Sequence, residues 1–226
     1  MKRTVVVGAS RGIGLALAQA LAARGDRVLA ACRGEAPAGL DAQVVSGVDV
    51  REEHAVARLA SAVTGPIDLL VYNSGVFRSK SLAALDFEAM KDEYDTNALG
   101  ALRVVSALRP HLGDGARVVL VTSRAGSIGD NASGGLYGYR MSKAALNMAG
   151  VSLARDLGKD GVTVLLLHPG AVRTDMLAGG FPEVAHMVNA TISPEEAAAE
   201  LLAQIDRSTA ADSGKFFGRR GELLPY

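Results

Sequence analysis

The chain has 226 residues, 49% hydrophobic and 21% charged, with 24 basic residues balancing 24 acidic ones. This length fits one large α/β domain that buries roughly 70% of its unfolded surface. Zero net charge gives no footprint for nucleic acid or an acidic membrane, and the lone Cys32 rules out an internal disulfide framework.

His54, His111, His168 and His186 lie far apart and lack ligand spacing, so no metal site is expected. Met1-Lys2-Arg3 and Val5 to Val7 faintly imitate a secretory signal, but the apolar run ends at Ser10, too early for one. No uncharged apolar run approaches the ~18 residues of a membrane span. With 4% aromatic residues and no Trp, a stacking platform for bases is missing too. These features predict a soluble cytoplasmic protein without nucleic-acid, membrane or metal partners.

Thr4 to Gly8 read as a buried strand, followed by Gly8-Ala9-Ser10-Arg11-Gly12-Ile13-Gly14 and a helix-forming run that Gly25 ends. The glycines follow G-x-x-x-G-x-G rather than G-x-G-x-x-G, but the physics is shared. They let the backbone turn sharply and approach a pyrophosphate, while the helix start offers unpaired N–H groups and a positive dipole end.

Arg27 to Cys32 form a second strand. A ribose-binding acid is expected at its end, yet Ala31, Cys32 and Arg33 stand there. Arg33 and Arg11 instead place positive charge where a 2′-phosphate lies, which favours NADP(H), with NAD(H) as the alternative. Gln43 to Val48 give a third strand ending at Asp49-Val50, and Arg51 to Val63 an amphipathic helix with Val56, Leu59 and Val63 inward. Ile67 to Val71 form the fourth strand, leading into Tyr72-Asn73-Ser74-Gly75 at the edge where open α/β sheets bind ligands.

Phe87 to Leu112 read as largely helical, with Asn97 and Gly100 set in an apolar pattern. An asparagine there points to a specific hydrogen-bonding role. Arg117 to Thr122 form the fifth strand, closing on Ser123, and a Gly-rich loop from Arg124 to Gly138 follows. The next helix, reaching about Leu157, carries Tyr139 and Lys143, whose spacing puts both on one face a turn apart. Such a pair can exchange a proton with a substrate oxygen, although the spacing alone is common on exposed helices. Val162 to Leu167 form a sixth strand ending in His168-Pro169-Gly170. Ser193-Pro194-Glu195-Glu196 caps a helix to about Ile205, and Gly214 to Phe217 add an edge strand. The alternation predicts a parallel sheet with helices on both faces.

Jointly, the glycine turn, Asn73-Ser74-Gly75, Asn97, Ser123, Tyr139, Lys143 and Pro169-Gly170 resemble the classical short-chain dehydrogenases/reductases (SDRs) over essentially the whole chain. The resemblance implies one Rossmann-type domain over 1–226, an α/β fold with a doubly wound, mostly parallel seven-stranded sheet in order 3-2-1-4-5-6-7. A substrate lid is expected at about 175–192, with Leu177, Phe181, Val184 and Met187 as candidate lining. The implied activity is hydride transfer between nicotinamide and a carbonyl or secondary alcohol. Tyr139 would be the general acid/base, Lys143 would bind the nicotinamide ribose and depress the tyrosine pKa, Ser123 would hold the substrate oxygen, and Asn97 would anchor a relay water. Gly8, Ser10, Arg11, Ile13 and Gly14 match the cofactor turn, and Asp49 and Val50 the adenine contacts. Asn73 and Gly75 match the adenosine wall, and Pro169, Gly170, Val172 and Thr174 the segment that clamps the carboxamide. A homodimer or homotetramer is implied as well.

Val7 replaces the family's usual Thr, and Ser123 stands sixteen positions before Tyr139, about three more than is common. Tyr-Arg-Met-Ser-Lys, His168-Pro169-Gly170 and Gly214-Lys215-Phe216-Phe217 look like the C-factor (C-signal) and Sniffer carbonyl reductase subgroup. That likeness admits an alternative, a cofactor-binding signalling protein with little or no turnover.

Overall fold

The computed structural model describes residues 1–35, 37–78, 81–180 and 191–226. Most of the expected lid, with Phe181, Val184 and Met187, lies outside these residues. Seven parallel strands form one sheet: β1 (Arg3–Val7), β2 (Arg27–Ala31), β3 (Gln43–Val45), β4 (Ile67–Tyr72), β5 (Leu112–Val121), β6 (Thr163–His168) and β7 (Phe216–Gly218). Their order is β3-β2-β1-β4-β5-β6-β7, reversing direction between β1 and β4 and so opening a crevice at the C-terminal strand ends.

Among the described residues the α-helices are α1 (Gly12–Ala23), α2 (Glu53–Ala62), α3 (Phe87–Tyr94), α4 (Gly100–Leu108), α5 (Tyr137–Leu157), α6 (Asp175–Gly180) and α7 (Pro194–Arg207). Apolar residues alternate between the two sheet faces. Val5 and Val7 join a core with Leu59, Val104 and Leu146, whereas Val6 joins one with Leu17, Leu21 and Leu201. Helices α2, α4 and α5 therefore cover one face, and α1 and α7 the other.

Most strand and helix boundaries lie within two residues of the expected ones, and the larger differences have physical causes. β3 stops at Val45 because Gly47, at φ +70°, turns the backbone, and its carbonyl accepts from Arg58 at 2.6 Å. β5 starts at Leu112, which pairs with Ile67 across a register shift around Gly113 to Gly115. The helical stretch before it contains a π-helical turn, Asp95–Leu99, in which Asn97 is buried. Ser193 caps α7 as expected, its Oγ accepting from Glu196 N at 3.1 Å.

Two glycines set how closely α5 approaches the sheet. A Cβ at Gly150 would lie 2.7 Å from Leu166 Cδ2 and 3.0 Å from Leu120 Cδ1. One at Gly126 would lie 2.6 Å from the Lys143 carbonyl carbon. Gly150→Val is therefore expected to cost about 1–3 kcal/mol by overpacking, read as a lowered urea midpoint. Activity should also fall, because α5 carries Tyr139; an unchanged midpoint would sink this account of the packing.

Candidate active site

The crevice opens into a cavity of about 420 Å³. At one end lie Gly8, Ser10, Arg11 and Ile13 of the glycine turn, with Arg33, Asp49 and Val50 beside them. Asn73 and Gly75 form a wall, and Tyr139, Lys143, Pro169 and Thr174 close the far end. Gly8 adopts φ +86°, and a Cβ there would meet Ser74 Oγ at 2.7 Å. A Cβ at Gly14 would meet Asn73 Nδ2 at 2.6 Å, so this buried glycine lets α1 settle onto the turn. Asn73 Nδ2 donates to Gly8 O at 3.1 Å, tying the wall to the turn.

The first turn of α1 has no side-chain cap and no acidic residue, unlike α7 with Ser193, Glu195 and Glu196. Gly12 and Ile13, at its start, line the cavity, and no acidic residue of that turn offsets the positive end of the helix. Arg33 makes no hydrogen bond or ion pair among the described residues, while Arg11 donates to Asp175 at 2.9 Å in an exposed pair. Asp49 is gripped by Arg51 at 2.7 Å, which also bonds Asp92 at 2.7 Å. The hydrogen bond from Arg51 holds the Asp49 carboxyl down to about 2.

At the far end, Ser123 follows β5 and hydrogen-bonds Tyr139. Its Oγ also accepts from Ala125 N at 3.2 Å. The Ser-x-x-Gly spacing has a packing reason, since only glycine at 126 lets the α5 backbone pass close enough for this contact. Lys143 is 5% exposed and donates to Val121 O at 3.1 Å. Its Nζ lies 5.8 Å from the Tyr139 ring centroid. Burial lowers the Lys143 ammonium to about 8.

Burial likewise pushes the Tyr139 phenol up to about 12, opposed by the Ser123 hydrogen bond and reinforced by the charge of Glu93. This differs from the expected depression by Lys143. Lys143 is not among the causes of the shift, and desolvation is the largest.

Asn97 is fully buried, and its side chain holds protein partners. Oδ1 accepts from Val76 N at 2.7 Å, and Nδ2 donates to Val76 O and Ser142 Oγ, each at 2.9 Å. It pins the loop after β4 to α5. Gly14, Asn97, Ser123, Gly170 and Val172 do not line the cavity. Gly170, at φ +82°, turns the chain after β6, and buried Val172 bridges Ile192. Tyr137 starts α5 away from the cavity.

The sequence did not reveal several buried supports. Thr122 Oγ1 donates to Asn147 Oδ1 at 2.7 Å, and Asn147 Nδ2 reaches Gly126 O at 3.4 Å. One signal was available, since Asn147 stands four residues beyond Lys143 on the same helix face. Phe77 packs edge-on against Tyr139, with ring centroids 5.0 Å apart. His168 Nδ1 is buried without a hydrogen-bond partner among the described residues, and desolvation lowers the imidazole to about 4, keeping it neutral. Among the described residues no group of His, Cys, Asp or Glu could hold a metal, and no helix is long and apolar enough to cross a membrane.

A family model described as short chain dehydrogenase matches residues 2–184. The chain is 42% identical, over 100% of both chains, to 1-hydroxy-2-glutathionyl-2-methyl-3-butene dehydrogenase of Rhodococcus sp. (strain AD45). It is 44% identical to C-signal of Myxococcus xanthus over 72% of this chain and 95% of that one. Among solved structures, NADPH-bound carbonyl reductase from chicken fatty liver superposes with a TM-score of 0.86 at 28% identity, covering 100% of this chain and 99% of the other. With a single seven-stranded domain in the same order as the resemblance implied, the chain belongs to the short-chain dehydrogenase/reductase family of oxidoreductases.

Proposed function

We propose that the protein is an NADP(H)-dependent oxidoreductase that interconverts a carbonyl and a secondary alcohol, with Tyr139 as general acid/base. The observation that carries this reading is the Ser123–Tyr139 hydrogen bond at one end of a cavity whose other end is the uncapped start of α1. A nicotinamide cofactor bound there would supply the hydride. The glycine turn and the start of α1, with Ser10, Gly12 and Ile13 lining the cavity, would hold its pyrophosphate, and Arg11 and Arg33 would pair with a 2′-phosphate through charge-assisted hydrogen bonds. The neighbour solved with NADPH supports the same cofactor choice.

Ser123 would orient the substrate oxygen toward the tyrosine hydroxyl. In the reductive direction Tyr139 gives its proton to that oxygen, and in the oxidative direction it takes one back. Lys143, titrating near 8, can refill the phenol through its ammonium or the cofactor ribose. The relative named for a glutathionyl butene places hydroxylated glutathione conjugates among the substrates to test. The likeness to C-signal favours a second reading, a signalling protein that binds cofactor with little turnover.

Buried Cys32 suits a reducing cytoplasm. Leu102 on α4 and Met141 and Met148 on α5, at 38%, 59% and 68% exposure, are exposed apolar side chains suited to the contacts of a homodimer or homotetramer. Light scattering should give two or four copies per particle.

Tyr139→Phe should lower NADPH-dependent reduction of a reactive dicarbonyl by about 10²–10⁴-fold, the usual contribution of general acid catalysis. Cofactor affinity should be nearly intact, and unchanged turnover would refute the assigned role and leave the signalling reading. Arg33→Glu combined with Arg11→Ala should weaken NADPH relative to NADH by about 1–3 kcal/mol, measured by fluorescence titration. Equal affinity of the unmutated protein for both cofactors would undo the NADP(H) assignment.

A further inference from the structure

Glu93, on α3, is fully buried beside the proposed reacting groups, and the mechanism above does not use it. Three contacts fix its place. Its Oε1 accepts the backbone N–H of Arg78 at 2.7 Å, holding the segment whose neighbouring residue, Phe77, packs edge-on against Tyr139. Its Oε2 lies against Gly138 in the first turn of α5, where any Cβ would collide with it and with Met90 Cγ at 2.7 Å. Its charge acts on the Tyr139 phenol, opposing ionisation. A buried carboxylate is costly unless hydrogen bonds and local dipoles stabilise it. Here the Arg78 amide and the positive end of α5 do so.

We propose that Glu93 is a positioning residue of the reaction: it fastens the Phe77 segment to the first turn of α5 and keeps a negative charge beside Tyr139, raising the pH range in which the phenol gives and takes its proton. The inference rests on the reading of Tyr139 as general acid/base. The other groups around the phenol are accounted for. Ser123 faces it from the end of β5, and Lys143 lies over its ring from the next turn of α5. Beyond Lys143, His168 on β6 is neutral at assay pH. Arg78 carries its guanidinium away to Asp92 at 3.2 Å, in a pair 54% and 21% exposed. Glu93 is thus the negative charge that Tyr139 meets from α3. The sign follows, because an adjacent carboxylate disfavours phenolate and removing its charge makes the proton easier to release.

The test is the pH dependence of kcat for oxidation of a secondary alcohol by the full-length protein with NADP⁺. Glu93→Gln preserves shape and removes the charge. It should move the acid limb, where phenolate forms, to lower pH by about one unit, the effect of one charge several ångströms away at an effective dielectric of about 20 to 40. Well below the limb, oxidation should then run up to about tenfold faster than in the wild type. A purely structural lesion would slow the enzyme at every pH and leave the limb in place. Glu93→Asp draws the charge back toward α3 and should lower the limb by less, which keeps the test available if the glutamine variant does not fold. NADPH binding measured by fluorescence serves as the control for a folded site. A limb unmoved in both variants, or moved equally by both, overturns the proposal. Tyr139→Phe with full turnover overturns the underlying reading as well, and so separates the two failures.

Discussion

Helix α5 lies so close to the ends of β5 and β6 that no side chain fits at Gly126 or Gly150, and the rest of the site depends on that approach. The closeness brings Tyr139 within hydrogen-bonding reach of Ser123 and lets Lys143 Nζ reach the last carbonyl of β5. It also seals polar groups away from water, so each needs a partner inside the protein. Thr122, Asn147 and the Gly126 carbonyl form one such chain, and Asn97, Ser142 and both backbone groups of Val76 form another. These networks fix α5 against the sheet and the loop after β4 more specifically than apolar contact would.

The same burial governs the electrostatics. Desolvation drives the phenol up to about 12 and the ammonium down to about 8, each toward its neutral form. Desolvation of the phenol outweighs the expected stabilisation of phenolate by lysine. Burial therefore leaves Tyr139 protonated, as a donor to a carbonyl oxygen must be, and leaves Lys143 able to give up its own proton near neutral pH.

The opposite end of the cavity is built differently. Its charges are exposed: Arg11 and Asp175 are 70% and 76% accessible, and such a pair adds at most about 1 kcal/mol. Its form rests instead on fixed backbone, the uncapped start of α1 and the glycines that let the turn pack against Ser74 and Asn73. Asp49, Arg51, Asp92 and Arg78 form an ion-pair chain from the end of β3 to the loop beside Tyr139, so both ends of the cavity share one surface network.

What the sequence determined by itself was the chemistry written in consecutive residues. The glycine turn between the first strand and helix, the Ser193-Pro194-Glu195-Glu196 cap and the Tyr139–Lys143 spacing all act within a turn or two of chain, where local geometry follows from residue type. The parallel sheet was legible from the alternation of elements, but the face each apolar residue covers was not, because Val5, Val6 and Val7 are chemically alike and point to opposite sides. Only the tertiary structure decided what Asn97 and Glu93 do, since their partners, Ser142 on α5 and Arg78 in the loop after β4, lie 45 and 15 positions away and are met only in the folded chain. It also decided the sign of the shift at Tyr139, because desolvation depends on everything packed around the phenol and no pairwise spacing encodes it.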